Sequence, residues 1–239
     1  MTLRRTLCDR ARRAGAAVEP RMLAVILALA ACCWLFVSLA DEVGEGETHA
    51  LDSRILLALR APGDPSDPIG PGWVEELGRD ITAFGGIGIL AFVTLAVAGY
   101  LWLSGRRRSM ALLLAAVCGG QLITSLAKRG FDRPRPDLVP HEMLVYTASF
   151  PSGHAMMAAV TYLTLGAMLA RVQPGRALKA YVMAVAILIA LAVGVSRVYL
   201  GVHWPTDVLA GWAAGAGWAL GCWSVARWLT RRGAVEPGS

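Results

Sequence analysis

One short stretch, residues 196–207, places a guanidinium, an imidazole and a carboxylate between two long runs without any charge. These groups belong to Arg197, His203 and Asp207. A guanidinium can bind an anion, an imidazole can attack it or move a proton, and a carboxylate can orient the imidazole. Asp207 follows His203 by four residues, so the two can share a face if a helix already runs there.

A second cluster, "KRGFDRPRP", carries four cations, namely Lys128, Arg129, Arg133 and Arg135. A third, "PSGH", comes directly before an apolar run. In it, Ser152 suits the N-cap of a helix, Gly153 lets the backbone approach a ligand, and the first N–H groups of the helix can hold an anion. Each cluster alone has an ordinary structural explanation. Together they predict a site for an anion with several oxygens, and phosphate fits.

Long apolar runs separate these clusters. The chain has 239 residues, of which 56% are hydrophobic and only 17% charged, against about 25% charged residues in soluble domains. Six runs lack charge: 22–40, 81–105, 109–127, 143–170, 180–196 and 208–226. All are long enough to cross a bilayer, and the fourth span should begin near Ser152. We therefore predict an all-α, polytopic membrane protein, a six-transmembrane-helix bundle, rather than a soluble bundle.

The basic residues predict the orientation of these spans. With both ends in the cytoplasm, the inner segments hold 15 of the 23 Lys and Arg residues but only three of the 17 acids, which follows the positive-inside rule. The tails 1–21 and 230–239 would then be cytoplasmic, flanking a six-span domain, 22–229. Three connections would face outward: loop 1 (about 41–80), loop 2 (128–151) and loop 3 (197–204). Topology explains the net charge of +6, so no nucleic-acid partner is expected.

Several points stay open at this level. The basic "RRTLCDRARR" and a Ser38-Leu39-Ala40 site would allow a cleaved signal peptide, but the 19-residue apolar run favours an uncleaved anchor. Pieces of loop 1 could form short extracytoplasmic helices on the membrane surface, or loop 1 could be only a connector. The five cysteines lie outside the outer loops and show no metal-binding spacing, so we expect no disulfide framework, metal or cofactor. The sequence does not indicate an oligomeric state.

The three clusters resemble the signature of the type-2 phosphatidic acid phosphatase superfamily. That signature is Lys-x6-Arg-Pro, then Pro-Ser-Gly-His, then Ser-Arg-x5-His-x3-Asp. The matching residues are Lys128 with Arg135-Pro136, then Pro151 to His154, then Ser196-Arg197 with His203 and Asp207. A second Arg-Pro pair begins at Arg133, but the six-residue spacing selects Arg135, and Arg133 remains a candidate for supporting the site.

The resemblance implies a metal-independent, acid phosphatase-type lipid phosphatase that works through a phosphohistidine. It implies His203 as the nucleophile, Asp207 as the group that orients it, and His154 as the proton donor. The phosphoryl-binding groups would be Lys128, Arg135, Ser152, Gly153 and Arg197. The substrate would be a lipid phosphate of the bacterial plasma membrane, met on its extracytoplasmic side. Undecaprenyl pyrophosphate and phosphatidylglycerophosphate are the favoured substrates.

Three other functions fit the sequence less well. Vanadate-dependent haloperoxidases share the motifs, but they are typically soluble and this chain has six apolar runs. A non-catalytic phospholipid-binding protein would not need two histidines and a carboxylate in place. A transporter would carry its ionisable residues near the middle of the membrane, whereas these cluster at the ends of the runs.

Overall fold

The computed structural model describes residues 20–137 and 148–231. The predicted tails are therefore largely, and the middle of loop 2 wholly, outside the described residues. The described part contains these helices and strands: α1 (Pro20–Glu45), α2 (His49–Ala58), β1 (Arg60–Ala61), β2 (Asp64–Pro68), α3 (Gly72–Ala83), α4 (Ile87–Leu103), α5 (Arg107–Gly130), α6 (Gly153–Val172), α7 (Arg176–Tyr199) and α8 (Pro205–Arg231).

Five of these helices are long and apolar enough to cross a membrane, namely α1, α5, α6, α7 and α8. A further candidate is the pair α3 and α4, bent by 47° at a short break. The helical membrane fold is thus confirmed, with five or six candidate spans. As predicted, α6 begins at the PSGH cluster, because Ser152 occupies its N-cap and accepts a hydrogen bond from the N–H of Ala155.

The run 81–105 was predicted as one span, but the structure interrupts it at Gly85 and Gly86. A Cβ on Gly85 would lie 2.5 Å from Cγ1 of Val193 and 3.2 Å from Cβ of His154. The backbone of the turn is therefore pressed directly against α6 and α7. Glycine allows this approach and is also a poor helix former, so the absence of charge there did not mean an unbroken helix.

Helix α6 lies at the centre of the bundle and packs most extensively on α7 and α8. Two glycines one turn apart on α8 allow α8 to approach α6 closely. A Cβ on Gly211 would lie 2.7 Å from the carbonyl oxygen of Ser152, and a Cβ on Gly215 would lie 2.5 Å from the carbonyl oxygen of Met156. Such small-residue spacing lets membrane helices pack backbone to backbone. It brings the start of α6 beside the first turn of α8.

Loop 1 is docked onto the bundle. It contains the predicted short helices, α2 and α3, and also an antiparallel pair, β1 and β2, that the Pro- and Gly-rich sequence did not predict. On α2, the fully buried Leu56 packs against Trp204 at the start of α8. On α3, a Cβ at Gly78 would meet the ring of Tyr199 at 3.2 Å. These contacts place both helices against the same end of the bundle.

Aromatic packing holds the two described ends of loop 2 in place. The ring of Phe150 lies 4.7 Å from that of Phe131 and 5.9 Å from that of Phe36 on α1, between centroids. The segment that follows Phe131 carries the arginines of the second cluster, and Phe150 precedes the PSGH residues. The thiols of the four cysteines in the described ranges are free, and Cys8 lies outside them.

Candidate active site

The imidazole of His203 and the carboxylate of Asp207 form a buried pair at the start of α8. Nδ1 of His203 lies 3.4 Å from Oδ2 of Asp207, and Nη1 of Arg135 lies 3.3 Å from Nε2. Arginine only donates and an ionised carboxylate only accepts. The neutral ring therefore carries its proton on Nδ1, which leaves the lone pair of Nε2 facing the cation.

Asp207 is completely buried and accepts hydrogen bonds on both oxygens. Oδ2 accepts from the Ser149 hydroxyl and from the main-chain N–H of Trp204, the latter at 3.0 Å, while Oδ1 accepts from Nη1 of Arg133 at 2.7 Å. The helix begins only at Pro205, so a shared helical face does not explain the His203–Asp207 contact. Instead, the carboxylate folds back over the helix start, as the acid of a capping box does.

The surroundings of His203 keep its ring neutral. Burial lowers the pKa of His203 well below its ordinary value, although the hydrogen bond and charge of Asp207 oppose this shift. The charges of Arg135 and Arg197 lower the pKa further. A neutral imidazole is the form that can act as a nucleophile.

Two further cations, Lys128 and Arg197, lie close enough to Arg135 for their charges to interact. Lys128, in the last turn of α5, donates to the Ala148 carbonyl at 2.6 Å, and Arg197, in the last turn of α7, donates to the Thr82 hydroxyl at 3.0 Å. Arg197 is only 5% exposed, and its buried Nε has no hydrogen-bond partner. In the described part of the chain, no carboxylate lies within salt-bridge distance of Lys128 or Arg197. A buried guanidinium and a half-buried ammonium group without carboxylates there call for an anion between them.

The PSGH segment closes the site from the α6 side. The main-chain N–H of Ser152 donates to the Asp207 carbonyl at 2.9 Å, which ties the start of α6 to α8. A Cβ on Gly153 would lie 3.5 Å from Cε of Lys128, so the first turn of α6 faces that cation. His154, in the same turn, lies close enough to Lys128, Arg135, Arg197 and His203 for their charges to act on its ring. All eight residues predicted for the site thus meet at one end of the bundle.

A network behind Asp207 joins Arg133, the candidate for supporting the site, to three residues that the sequence did not single out, namely Asp52, Thr48 and Thr206. Nη1 of Arg133 also donates to the Thr206 hydroxyl at 2.8 Å, while Nη2 donates to Oδ2 of Asp52 at 2.6 Å and to the Thr48 hydroxyl at 3.1 Å. Asp52 in turn accepts the main-chain N–H of Thr206 at 3.0 Å. The one available signal was a lone acid at Asp52, one helical turn before Leu56 in an apolar segment.

Other neighbours of the site carried no such signal. Nothing in the sequence distinguishes Ser149, which bonds to Asp207, or Thr82, which bonds to Arg197, from ordinary hydroxyl residues. Within the ranges 20–137 and 148–231, no group of three or more His, Cys, Asp or Glu side chains is arranged to hold a metal ion. The described donors are instead cations, imidazoles, hydroxyls and main-chain N–H groups, which suit an oxyanion.

Comparisons with known proteins agree with this geometry. Residues 109–231, just over half of the chain, match the model of the PAP2 superfamily. A phosphatidylglycerophosphatase B of Bacillus subtilis is 34% identical over 183 residues, 75% of this chain and 85% of that protein, and a lipid A 1-phosphatase of Rhizobium etli is 30% identical over 68% of this chain and 75% of that protein.

A solved structure is similar as well. The crystal structure of a transmembrane PAP2-type phosphatidylglycerolphosphate phosphatase from Bacillus subtilis superposes with a TM-score of 0.75 at 28% identity, covering 85% of this chain and 98% of that one. The matched segment contains Lys128, Arg135, His154, Arg197, His203 and Asp207, and the structural likeness covers 85% of the chain, so the chain belongs to the PAP2 superfamily.

Proposed function

We propose that this protein is an integral-membrane phosphatase that removes a phosphoryl group from a lipid through a phosphohistidine on His203. The observation that carries the proposal is the buried guanidinium of Arg197, which has no carboxylate partner in the described chain and lies beside Lys128 and Arg135. Without an anion, the charges of Arg197, Lys128 and Arg135 would repel one another in a poorly solvated site. A phosphoryl group among them faces Nε2 of His203.

In the first step, the lone pair on Nε2 of His203 attacks phosphorus, and the bond from phosphorus to the leaving oxygen breaks. With the negative charge of the bound phosphoryl group offsetting the nearby cations, protonated His154 gives its proton to that oxygen, so that the lipid alcohol leaves neutral, or a lipid phosphate leaves if the substrate is a pyrophosphate. Asp207 accepts the Nδ1–H hydrogen bond and stabilises the positive charge that forms on the ring. The cations and the N–H groups at the start of α6 hold the phosphoryl oxygens.

In the second step, water replaces the imidazole. His154, now neutral, takes a proton from the attacking water, whose oxygen forms the new bond to phosphorus. The nitrogen–phosphorus bond breaks, and its electron pair returns to Nε2 of His203. Inorganic phosphate leaves, and both rings regain the protonation that they had before the cycle.

The position of the site supports a lipid as the substrate. Its residues lie at the ends of the apolar helices α5, α6, α7 and α8, where a phosphate head group can enter while the hydrocarbon chain stays in the bilayer. The names of the Bacillus and Rhizobium relatives describe lipid phosphatases. We favour phosphatidylglycerophosphate or undecaprenyl pyrophosphate, at the extracytoplasmic face to which the basic residues assign the site.

The direct test is phosphate release by the purified protein in detergent, measured over a panel of lipid phosphates and pyrophosphates with EDTA present. We expect phosphate release from at least one substrate and inhibition of that release by vanadate. His203→Ala, at the same concentration of folded protein, should release no phosphate. A ³²P-labelled substrate quenched in alkaline denaturant, where phosphohistidine survives, should label the wild type only. Activity that requires added Mg²⁺, or label on His203→Ala, would contradict the mechanism.

The orientation needs its own measurement. A reporter enzyme that works only in the cytoplasm should be active when fused after Gly238, and one that works only outside the cytoplasm should be inactive there. The reason is that 15 of the 23 basic residues lie in the segments assigned to the cytoplasmic side. A reporter placed between Gly63 and Asp64 of loop 1 should behave in the opposite way. The reverse pattern would place the catalytic residues in the cytoplasm.

A further inference from the structure

The Arg-Pro-Arg-Pro segment of loop 2 contacts the His203–Asp207 pair at both ends. Nη1 of Arg135 lies 3.3 Å from Nε2 of His203, and Nη1 of Arg133 lies 2.7 Å from Oδ1 of Asp207. Arg135 therefore contacts the side of the pair where the phosphoryl group is proposed to bind. Arg133, two residues earlier, contacts the opposite side, which we call the rear of the pair. Arg133 is on the rear side, so it does not bind the phosphoryl group directly.

Asp52 determines where the guanidinium of Arg133 lies. Asp52 is fully buried, and its Oδ2 accepts from Arg133 while its Oδ1 accepts the main-chain N–H of Thr206, the residue before Asp207. The ring of Trp204 lies beneath the guanidinium, 5.5 Å from Cζ of Arg133. One carboxylate from α2 therefore secures both the arginine and the first turn of α8.

We propose that Asp52 and Arg133 are positioning residues for the catalytic pair, and that helix α2 of loop 1 is thereby part of the active site. The proposal rests on the phosphatase mechanism above. Arg133 binds Oδ1 of Asp207 and so leaves Oδ2 directed at Nδ1 of His203. Asp52 holds the planar guanidinium in that orientation and offsets its charge, so that the carboxylate of Asp207 still stabilises a positive imidazole.

A purely structural role is the alternative, because buried ion pairs are weak evidence for stability or function. The two roles differ in what a substitution changes. A structural pair affects how much protein folds and how easily it unfolds, but the folded fraction works normally. A positioning pair changes kcat and the ionisation of His203 in protein that is fully folded.

The first measurement is a double-mutant cycle on kcat. Asp52→Asn and Arg133→Met should each lower kcat about 10- to 100-fold with little change in KM, which is the scale of effect when a catalytic group is misplaced. If Asp52 acts through Arg133, the double variant should be no slower than Arg133→Met alone. Arg133→Lys, which keeps the charge but cannot bind both carboxylates with a planar fork, should be intermediate.

The second measurement is the acid limb of kcat/KM, which reports the pKa of His203. The charged or titratable groups that face this ring are Asp207, Arg135, Arg197 and His154. Asp52→Asn removes a negative charge behind the pair and should move the limb to lower pH, whereas Arg133→Met removes a positive charge and should move it to higher pH. The exposed pair Glu75–Arg79 on α3 supplies a control: Glu75→Gln should change neither kcat nor the limb.

The third measurement does not depend on turnover. Nitrogen-15 NMR of labelled histidine in the solubilised protein should show the proton of His203 on Nδ1 in the wild type and a mixture of tautomers in Asp52→Asn and Arg133→Met. Additive losses in kcat, unmoved acid limbs or an unchanged tautomer would overturn the positioning role. If the wild type releases no phosphate from any lipid, the phosphatase proposal fails, and the NMR result still decides the positioning role.

Discussion

Replacing Asp207 by asparagine keeps the size of the side chain but puts an NH₂ group where every neighbour donates. Oδ1 faces Nη1 of Arg133 at 2.7 Å, and Oδ2 faces the main-chain N–H of Trp204 at 3.0 Å and Nδ1 of His203 at 3.4 Å. Arginine cannot accept a hydrogen bond, whereas an imidazole can do so by changing tautomer. We therefore expect the amide oxygen to stay with charged Arg133 and the NH₂ group to turn toward His203, at the cost of the neutral hydrogen bond that the Trp204 N–H donates to Oδ2.

The energies favour that orientation. A hydrogen bond to a charged group contributes about 1.5–3 kcal/mol and a neutral one about 0.5–1.5 kcal/mol, and each 1.4 kcal/mol is about tenfold in population. In the favoured orientation the amide donates to Nδ1, so the ring proton moves to Nε2, the atom that must attack. With the negative charge also gone, kcat of Asp207→Asn should fall by about 10⁴-fold, as in a hydrolytic triad with the wrong tautomer.

The assay is kcat on the lipid phosphate that the wild type hydrolyses best, with thermal unfolding as the check on folding. The same substitution made in the Arg133→Met variant gives a second test of the amide orientation. Arg133→Met removes the group that holds the amide oxygen, so Arg133→Met/Asp207→Asn should be about tenfold faster than Asp207→Asn, if the orientation preference is worth about 1.4 kcal/mol. A double variant that is slower still, or an Asp207→Asn enzyme that keeps a tenth of wild-type kcat, would refute the reasoning.

Three further predictions concern the remaining parts of the site. His154→Ala should slow turnover of a lipid phosphate by about 10²- to 10⁴-fold, but an aryl phosphate, whose leaving group needs little protonation, should still label the enzyme; a labelled wild type beside an unlabelled variant would argue against His154 as the acid. Because burial lowers the pKa of His203 and the neutral ring is the active form, the acid limb of kcat/KM should have its midpoint below the ordinary histidine pKa of about 6.5, and an acid limb centred at or above that value would contradict this. Gly85→Ala places a Cβ 2.5 Å from Val193 and 3.2 Å from His154, so kcat and the unfolding temperature should both drop, whereas Gly88→Ala on α4, with open space around it, should leave both unchanged.

The sequence predicted the parts of this protein that depend on neighbours in the chain. A charge-free run needs no partner to be recognised as apolar, and Ser152 caps α6 with its own side chain, so the spans and the start of α6 were readable in advance. The spacing of Lys128, His154 and His203 within short motifs resembles a family signature, and it predicted residues that the structure brings together at one end of the bundle. Topology rules predicted those ends on one face of the membrane.

Only the tertiary structure decided how loop 1 takes part. Asp52 and Arg133 are 81 residues apart, and their ion pair exists because α2 is docked on Trp204 and the start of α8. In the same way, the turn at Gly85 lies directly against α6 and α7, and the composition of the run does not indicate this contact. Periodicity and local motifs indicate which structure a segment prefers by itself. The contacts of a buried carboxylate such as Asp52, or of a closely packed glycine such as Gly85, form only when distant segments pack together.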